Sequence, residues 1–286
     1  MATGARTPVG LQSAPAAAAV RAGISGLGEH PFMIDQVGDP MIGAIDAELD
    51  PTIIGPKRLL GLAETALREA CAPLGVVLAS RPLLPVYLAL PEFRPGFSQE
   101  DAQKIRSDLT QIEGLPVELQ VVEVFTHGHA AGFLALAKAV EQIQQRTFEA
   151  CLVGGVESYF HPDTMEWLDT NRQLTGTVSR SGFVPGEGAG FCLIMTERAR
   201  HQWGLRSMVS VRTVAIGKET KLIKTDDICL GEGLTETIES AVIHLIRPTG
   251  TINNIICDIN GERYRGEEWG FVCLRFSGYF DDPTDY

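Results

Sequence analysis

The stretch Arg180-Ser181-Gly182-Phe183-Val184-Pro185-Gly186-Glu187-Gly188-Ala189-Gly190 constrains this chain more than any other, because few folds place so many glycines between two strands. Residues without a Cβ allow another backbone to pass at close range, so a run of this kind marks a crowded crossing. Gly186, Gly188 and Gly190 are expected to let the chain run beneath a neighbouring helix, with positive φ where the path demands it. Glu187, held among them, is expected to accept backbone N–H bonds. About 25 residues upstream stands a second signal, the apolar run Leu152-Val153-Gly154-Gly155-Val156-Glu157-Ser158.

Periodicity fills in the elements around these two segments. Ala14 to Ile24 is alanine-rich with apolar residues at helical spacing and predicts a first helix, ended by Gly23 or Gly26. Phe32 to Leu49 predicts two strand-like pieces about a turn at Val37-Gly38-Asp39-Pro40. Ile54 to Leu74 carries Leu59, Leu60, Leu62, Leu67 and Cys71 on one helical face, with Pro56 suited to the opening turn. Leu83 to Leu90 is a nearly continuous apolar run, as in a strand covered on both faces. Ser98 can cap a helix that reaches about Ile112, and Glu100 and Asp101 suit its positive end.

Val117 to Phe125 alternates and predicts a strand, Ala130 to Gln145 a helix, and Cys151 to Val156 the next strand. This strand–helix–strand order is the mark of parallel α/β layering. Further strands are expected at Leu193-Ile194-Met195, Met208 to Ile216 and Ile252 to Ile259, with a helix from Leu234 to Ile246. Gly217 to Leu230 is polar and reads as a loop between two halves, which sets the expected domains at 1–216 and 217–286.

Composition narrows the classes of partner. A net charge of −12 without a dense Lys/Arg run argues against nucleic acid or an anionic membrane surface. No apolar run nears the roughly 20 residues that cross a bilayer, and no secretory signal opens the chain, so a cytoplasmic location is expected. The six cysteines form no CxxC pair and mostly sit in apolar runs, as buried reduced thiols do. Trp167, Trp203 and Trp269 read as packing anchors, and Glu262 to Glu268 as a solvated helix start with paired charges.

The chain resembles the β-ketoacyl synthases of the thiolase superfamily. Thr3-Gly4 with Thr7-Pro8-Val9-Gly10 is similar to the family's opening TGxGxxTPxG, at shorter spacing. Leu152-Val153-Gly154-Gly155-Val156-Glu157-Ser158 resembles its IAGGxE strand, and Arg180 to Gly190 its RDGFVxGEGAG loop with Ser181 in place of Asp. The similarity runs from about Thr3 to Glu267. It implies an α/β, thiolase-like layered fold of helix, sheet, helix, sheet and helix.

Counting back from Gly154-Gly155 across the intervening helix puts His129 where the family keeps its nucleophilic cysteine, in Phe125-Thr126-His127-Gly128-His129-Ala130-Ala131-Gly132. A cysteine suits that place because a helix N-terminus stabilises a thiolate. Aligning the family's His-Gly-Thr motif on Ile255 to Glu262 puts Asn260 where its histidine belongs, with Gly261 retained. An amide can donate to an oxyanion but cannot exchange protons near neutral pH. Relatives commonly continue further, through a Gly-His-Thr segment and a pocket-closing glycine loop, so an incomplete C-terminal half is expected.

What the resemblance then implies is a catalytically degenerate ketosynthase-like protein, a dimeric scaffold or partner in a fatty-acid, polyketide or other natural-product pathway. The family dimerises through the strand that precedes the nucleophile helix, here Val117 to Phe125, so a homodimer or heterodimer is expected, with a pathway or carrier protein as a further partner. Two rewired alternatives stand beside this. His129 could act as a general base on a bound thioester with Asn260 as oxyanion donor, and His127 with His129, joined by His161 or Asp163, offers zinc-type ligands. Neither a metal nor a cofactor is expected.

Overall fold

The apolar run at residues 83–90 becomes the structural axis: β4 (Leu83–Ala89) lies inside a five-stranded sheet of order β1-β7-β6-β4-β5. The computed structural model describes residues 2–282 except 79, 178, 222–227 and 244–251. β4 pairs in parallel with β5 (Glu118–Phe125) on one side and β6 (Ala150–Ser158) on the other. β7 (Glu187–Met195) is antiparallel to β6, and β1 (Thr3–Arg6) antiparallel to β7.

Period-two alternation in β4 feeds two cores. Val86 and Leu88 face the larger one, against α2 (Gly55–Cys71) and α4 (Gln99–Thr110), while Tyr87 faces Ala135 and Ala139 of α5 (Ala131–Gln144). The central sheet is thus mixed and flanked by helices. In α2 the buried residues Leu59, Leu62, Ala63, Ala66, Leu67 and Ala70 follow the helical stripe read in the sequence. Full burial of one such leucine contributes about 2 kcal/mol. α4 opens with a capping box: Ser98 Oγ accepts from the Asp101 N–H at 3.2 Å, and Asp101 accepts from the Ser98 N–H at 2.8 Å.

α1 (Ser13–Arg21) is followed by an antiparallel hairpin of β2 (Leu27–Ile34) and β3 (Pro40–Ala44), whose turn uses Gly38 at φ +93°. The remaining helices are α3 (Leu74–Val77), α6 (Pro162–Thr170), α7 (Glu197–Gln202), α8 (Glu232–Ile243) and α9 (Arg263–Phe276). Among the described residues no helix is long and apolar enough to cross a membrane.

Two compact units emerge from the chain's internal contacts: Met1–Arg172 with Val184–Ser210, and Gln173–Phe183 with Val211–Tyr286. Residues 173–183 return on themselves in the second unit, where Phe183 N–H donates to Gln173 and Thr175 N–H to Phe183. The sequence set its boundary after residue 216; the contacts set it at Ser210.

Three expectations need correction. Met208 to Ile216 is not a strand, and neither is Ile252 to Ile259, where Ile256 is 97% exposed and only Ile252 forms a bridge, to Phe280. Apolar content alone does not make a strand; a neighbouring edge must take up its hydrogen bonds, and no described strand lies beside either run. The third concerns the glycines. Gly188 and Gly190 lie within β7, none of Gly186, Gly188 and Gly190 has positive φ, and the neighbour of Gly188 is strand β1, not a helix: a Cβ there would come within 3.1 Å of the Arg6 carbonyl oxygen. The helix expected to end at Ile246 is described to Ile243, its last three residues lying outside the described set, as do residues 222–227 of the expected loop.

Candidate functional site

β4, β5 and β6 run parallel, so the segments that leave their carboxyl ends gather on one rim of the sheet, the usual ligand position in open α/β sheets. They are Pro91 to Arg94, Thr126 to Ala130 and Tyr159 to His161. After β5 the chain makes a single 3-10 turn, Gly128–Ala130, before α5 begins. His129 sits in that turn and His127 just before it, both exposed. Gly128 takes φ +54°, and a Cβ on it would lie 3.4 Å from the Glu92 carboxylate. Imidazoles therefore stand at the N-terminal end of the helix, on either side of a glycine that lies close to an acidic side chain from the β4 exit.

The segment 125–132 holds no cysteine. Cys151 is the second residue of β6, near the strand's opposite end, and burial, reinforced by the neighbouring Cys192, pushes its thiol up to about 12. Such a thiol stays protonated near neutral pH. Cys257 belongs to the second unit.

Arg94 anchors the rim. Its guanidinium donates to Glu157 at 2.5 and 3.2 Å and to the Ser158 carbonyl at 3.0 Å, and it lies 4.5 Å over the Tyr159 ring. His161 caps α6, its Nδ1 accepting from the Asp163 N–H at 3.2 Å. His161 and Asp163 do not join His127 and His129 in a group of three possible metal ligands. Among the described residues the group that does form is Glu219, Cys229 and Glu268, in the second unit.

Behind the rim lies a buried polar cluster. Arg58 donates both Nε and Nη2 to Glu187 at 2.6 Å, with the two side chains 1% and 0% exposed. Glu187 also accepts from the Asp46 N–H at 2.7 Å and from Ser158 Oγ at 2.8 Å. Asp46 in turn holds Arg6 at 2.6 Å. So Glu187 does accept a backbone N–H, but its main partner is a guanidinium that sequence reading overlooked. A signal was present: Arg58 stands on the same i, i+4 row as Leu62, Ala66 and Ala70, a strange place for a charge without a buried partner. Through Ser158 this cluster fixes the end of β6, hence the rim. His30, buried beside it, accepts from the Phe32 and Met33 N–H groups; burial first, and then the nearby Arg58 charge, holds its imidazole below the ordinary value, with Glu187 opposing.

The glycine pair of β6 has a plain packing cause. A Cβ on Gly154 would run into the Gly190 carbonyl and the Phe191 ring of β7. Asn260, the other position singled out in the sequence, is exposed in the second unit and bonded locally to Glu262, with Nδ2 donating at 3.1 Å.

Comparison with known proteins reaches the same architecture. Residues 124–200 match the family model "Beta-ketoacyl synthase, N-terminal domain". Superposition with the ketosynthase from module 6 of the bacillaene synthase of Bacillus subtilis 168 gives a TM-score of 0.70 over 98% of this chain and 54% of that one, at 14% identity. This chain has a thiolase-like ketosynthase fold. A type II polyketide synthase acyl-carrier protein in complex with its ketosynthase gives 0.69 at 16% identity, over 95% of this chain and 76% of that one. The ishigamide ketosynthase/chain length factor gives 0.64 at 16% identity, over 85% and 68%. The chain spans about half the length of the bacillaene ketosynthase it matches. Among curated proteins no sequence matches significantly.

Proposed function

We propose that this protein is a ketosynthase-like partner that no longer condenses acyl groups and acts by association in a fatty-acid, polyketide or related natural-product pathway. The observation that carries the reading is the turn Gly128–Ala130, which presents the imidazole of His129 where the family resemblance calls for a thiol. In condensation a thiolate attacks the acyl thioester, the carrier thiol leaves, and the acyl group waits on sulfur until a carbanion displaces it. An acyl-imidazole at this exposed position would be open to water, so the chain would be hydrolysed rather than extended. Asn260 in place of a histidine removes a proton-exchanging group from the second element.

What supports association is the open edge. β5 ends the sheet and pairs only with β4 among the described strands, so its other side is free to meet a partner strand and extend the sheet. Two of the solved neighbours are described as a ketosynthase with its carrier protein and as a ketosynthase/chain length factor; a carrier protein or an active pathway subunit is the corresponding partner here.

The test is an assay of purified protein with acyl- and malonyl-carrier-protein thioesters, monitored for released thiol and for condensed product. The reading expects neither above the buffer rate. Turnover lost in His129→Ala would instead establish a rewired thioester enzyme.

A further inference from the structure

The face that β5 offers is chemically lopsided. Leu119 and Val121 point into the core beneath α2 and α4, so alternation sends Glu118 and Gln120 to the α5 side, where both are exposed. Beyond the register shift after Val121, Glu123 pairs with Tyr87, a residue of the α5-side core, and therefore shares that side. Glu123 and Glu141 of α5 both raise the Tyr87 hydroxyl's pKa, after burial and Cys151, which places their charge on the same face. On α5, Lys138 is held by Glu141 at 2.8 Å. On the strand's open side Arg106 and Arg81 donate to the Val121 and Val117 carbonyls at 3.1 and 3.2 Å, places an incoming strand's N–H groups would take over.

Two copies joined edge to edge across a two-fold axis would form an antiparallel pair with the α5 sides of both on one face. The strand reads Glu-Leu-Gln-Val-Val-Glu-Val-Phe and holds no Lys or Arg. Self-pairing within these eight residues therefore sets Glu118 and Glu123 against acid or against neutral groups, never against Lys or Arg. Each chain also brings a net charge of −12. Like charges on opposed strands destabilise the pair, and opposite charges stabilise it.

From this we infer that the β5 edge is built for a non-identical chain, one whose pairing strand carries Lys or Arg opposite Glu118 and Glu123. This rests on the reading of β5 as an interface and adds which partner it selects.

A charge-reversal experiment separates the two. Sedimentation equilibrium is run on the wild-type chain, on the Glu118→Lys/Glu123→Lys variant, and on their equimolar mixture, at 50 and 300 mM salt. Both positions are exposed, so folding is unaffected. The mixture is expected to associate on the order of tenfold more tightly than either chain alone, with the gain shrinking at high salt. Wild type associating with itself as tightly as in the mixture overturns the selectivity while leaving the interface standing. No association in any sample at 100 µM, an arbitrary ceiling of about that size for a specific contact, removes the interface itself. A control variant of equal charge, Glu29→Lys/Glu48→Lys, both exposed and outside β5, must not reproduce the gain; if it does, net charge and not the strand is responsible.

Discussion

The Glu187 cluster and the β5–α5 turn lie in the same unit and are opposites. Around Glu187 a forked guanidinium and a backbone N–H, both buried, and a part-buried hydroxyl converge on one carboxylate. In the turn, His127 and His129 stand exposed at a helix start, His129 within a short 3-10 turn. The family match, residues 124–200, spans both regions, but only the first is fixed by packing and desolvation. The second is where we propose that the chemistry has changed. On that reading the framework persists while the reactive position drifts, because buried paired groups hold a fold more strongly than exposed ones do.

The sharpest way to break this contrast is to remove one member of the buried pair. Glu187→Ala leaves the Arg58 charge uncompensated and is expected to lower unfolding free energy by about 3–5 kcal/mol, read from urea denaturation. A loss under 1 kcal/mol would mean that the pair is solvated and the contrast unreal. Ser98→Ala, which removes the α4 capping box without touching either region, is expected to cost about 1 kcal/mol and calibrates the scale.

pH supplies a subtler probe. Since the His30 imidazole is held below its ordinary value by burial and by Arg58, the unfolded chain binds its proton more readily. Stability from the neutral ring is complete above the unfolded value of about 6.5 and is lost as pH falls below it, toward the lower folded-state value. Thermal melts from pH 7.5 to 5 should show this decline, shallower in His30→Gln; identical slopes would place no titration at His30. The smallest effect belongs to the turn: His129→Ala should change stability by no more than about 0.5 kcal/mol, as exposed substitutions do. A larger loss would make His129 part of the framework.

Much of the first unit was readable in advance for a definite reason. The α2 stripe, the Ser98 cap and the alternation of β5 are local signals, each set by residues within a turn or two of one another. What escaped is non-local. Arg58 and Glu187 are 129 residues apart, and nothing in either neighbourhood names the other. Ile252 to Ile259 shows the reverse failure: its composition suits a buried strand, but pairing depends on what lies beside it, and Ile256 is exposed. For the candidate site, the positions of His127 and His129 at the start of α5 followed from the spacing to Gly154-Gly155, whereas Arg94, which holds the rim through Glu157 of the IAGGxE-like strand, carried no signal that the sequence reading picked up.

The central claim is that no acyl group is carried at this turn. Intact-mass spectrometry of the protein after incubation with an acyl thioester tests it most directly, with His129→Cys measured alongside. We expect the wild-type mass to remain that of the unmodified chain. A stoichiometric acyl adduct on the wild-type chain, mapped by digestion to the peptide containing His129, would contradict the account.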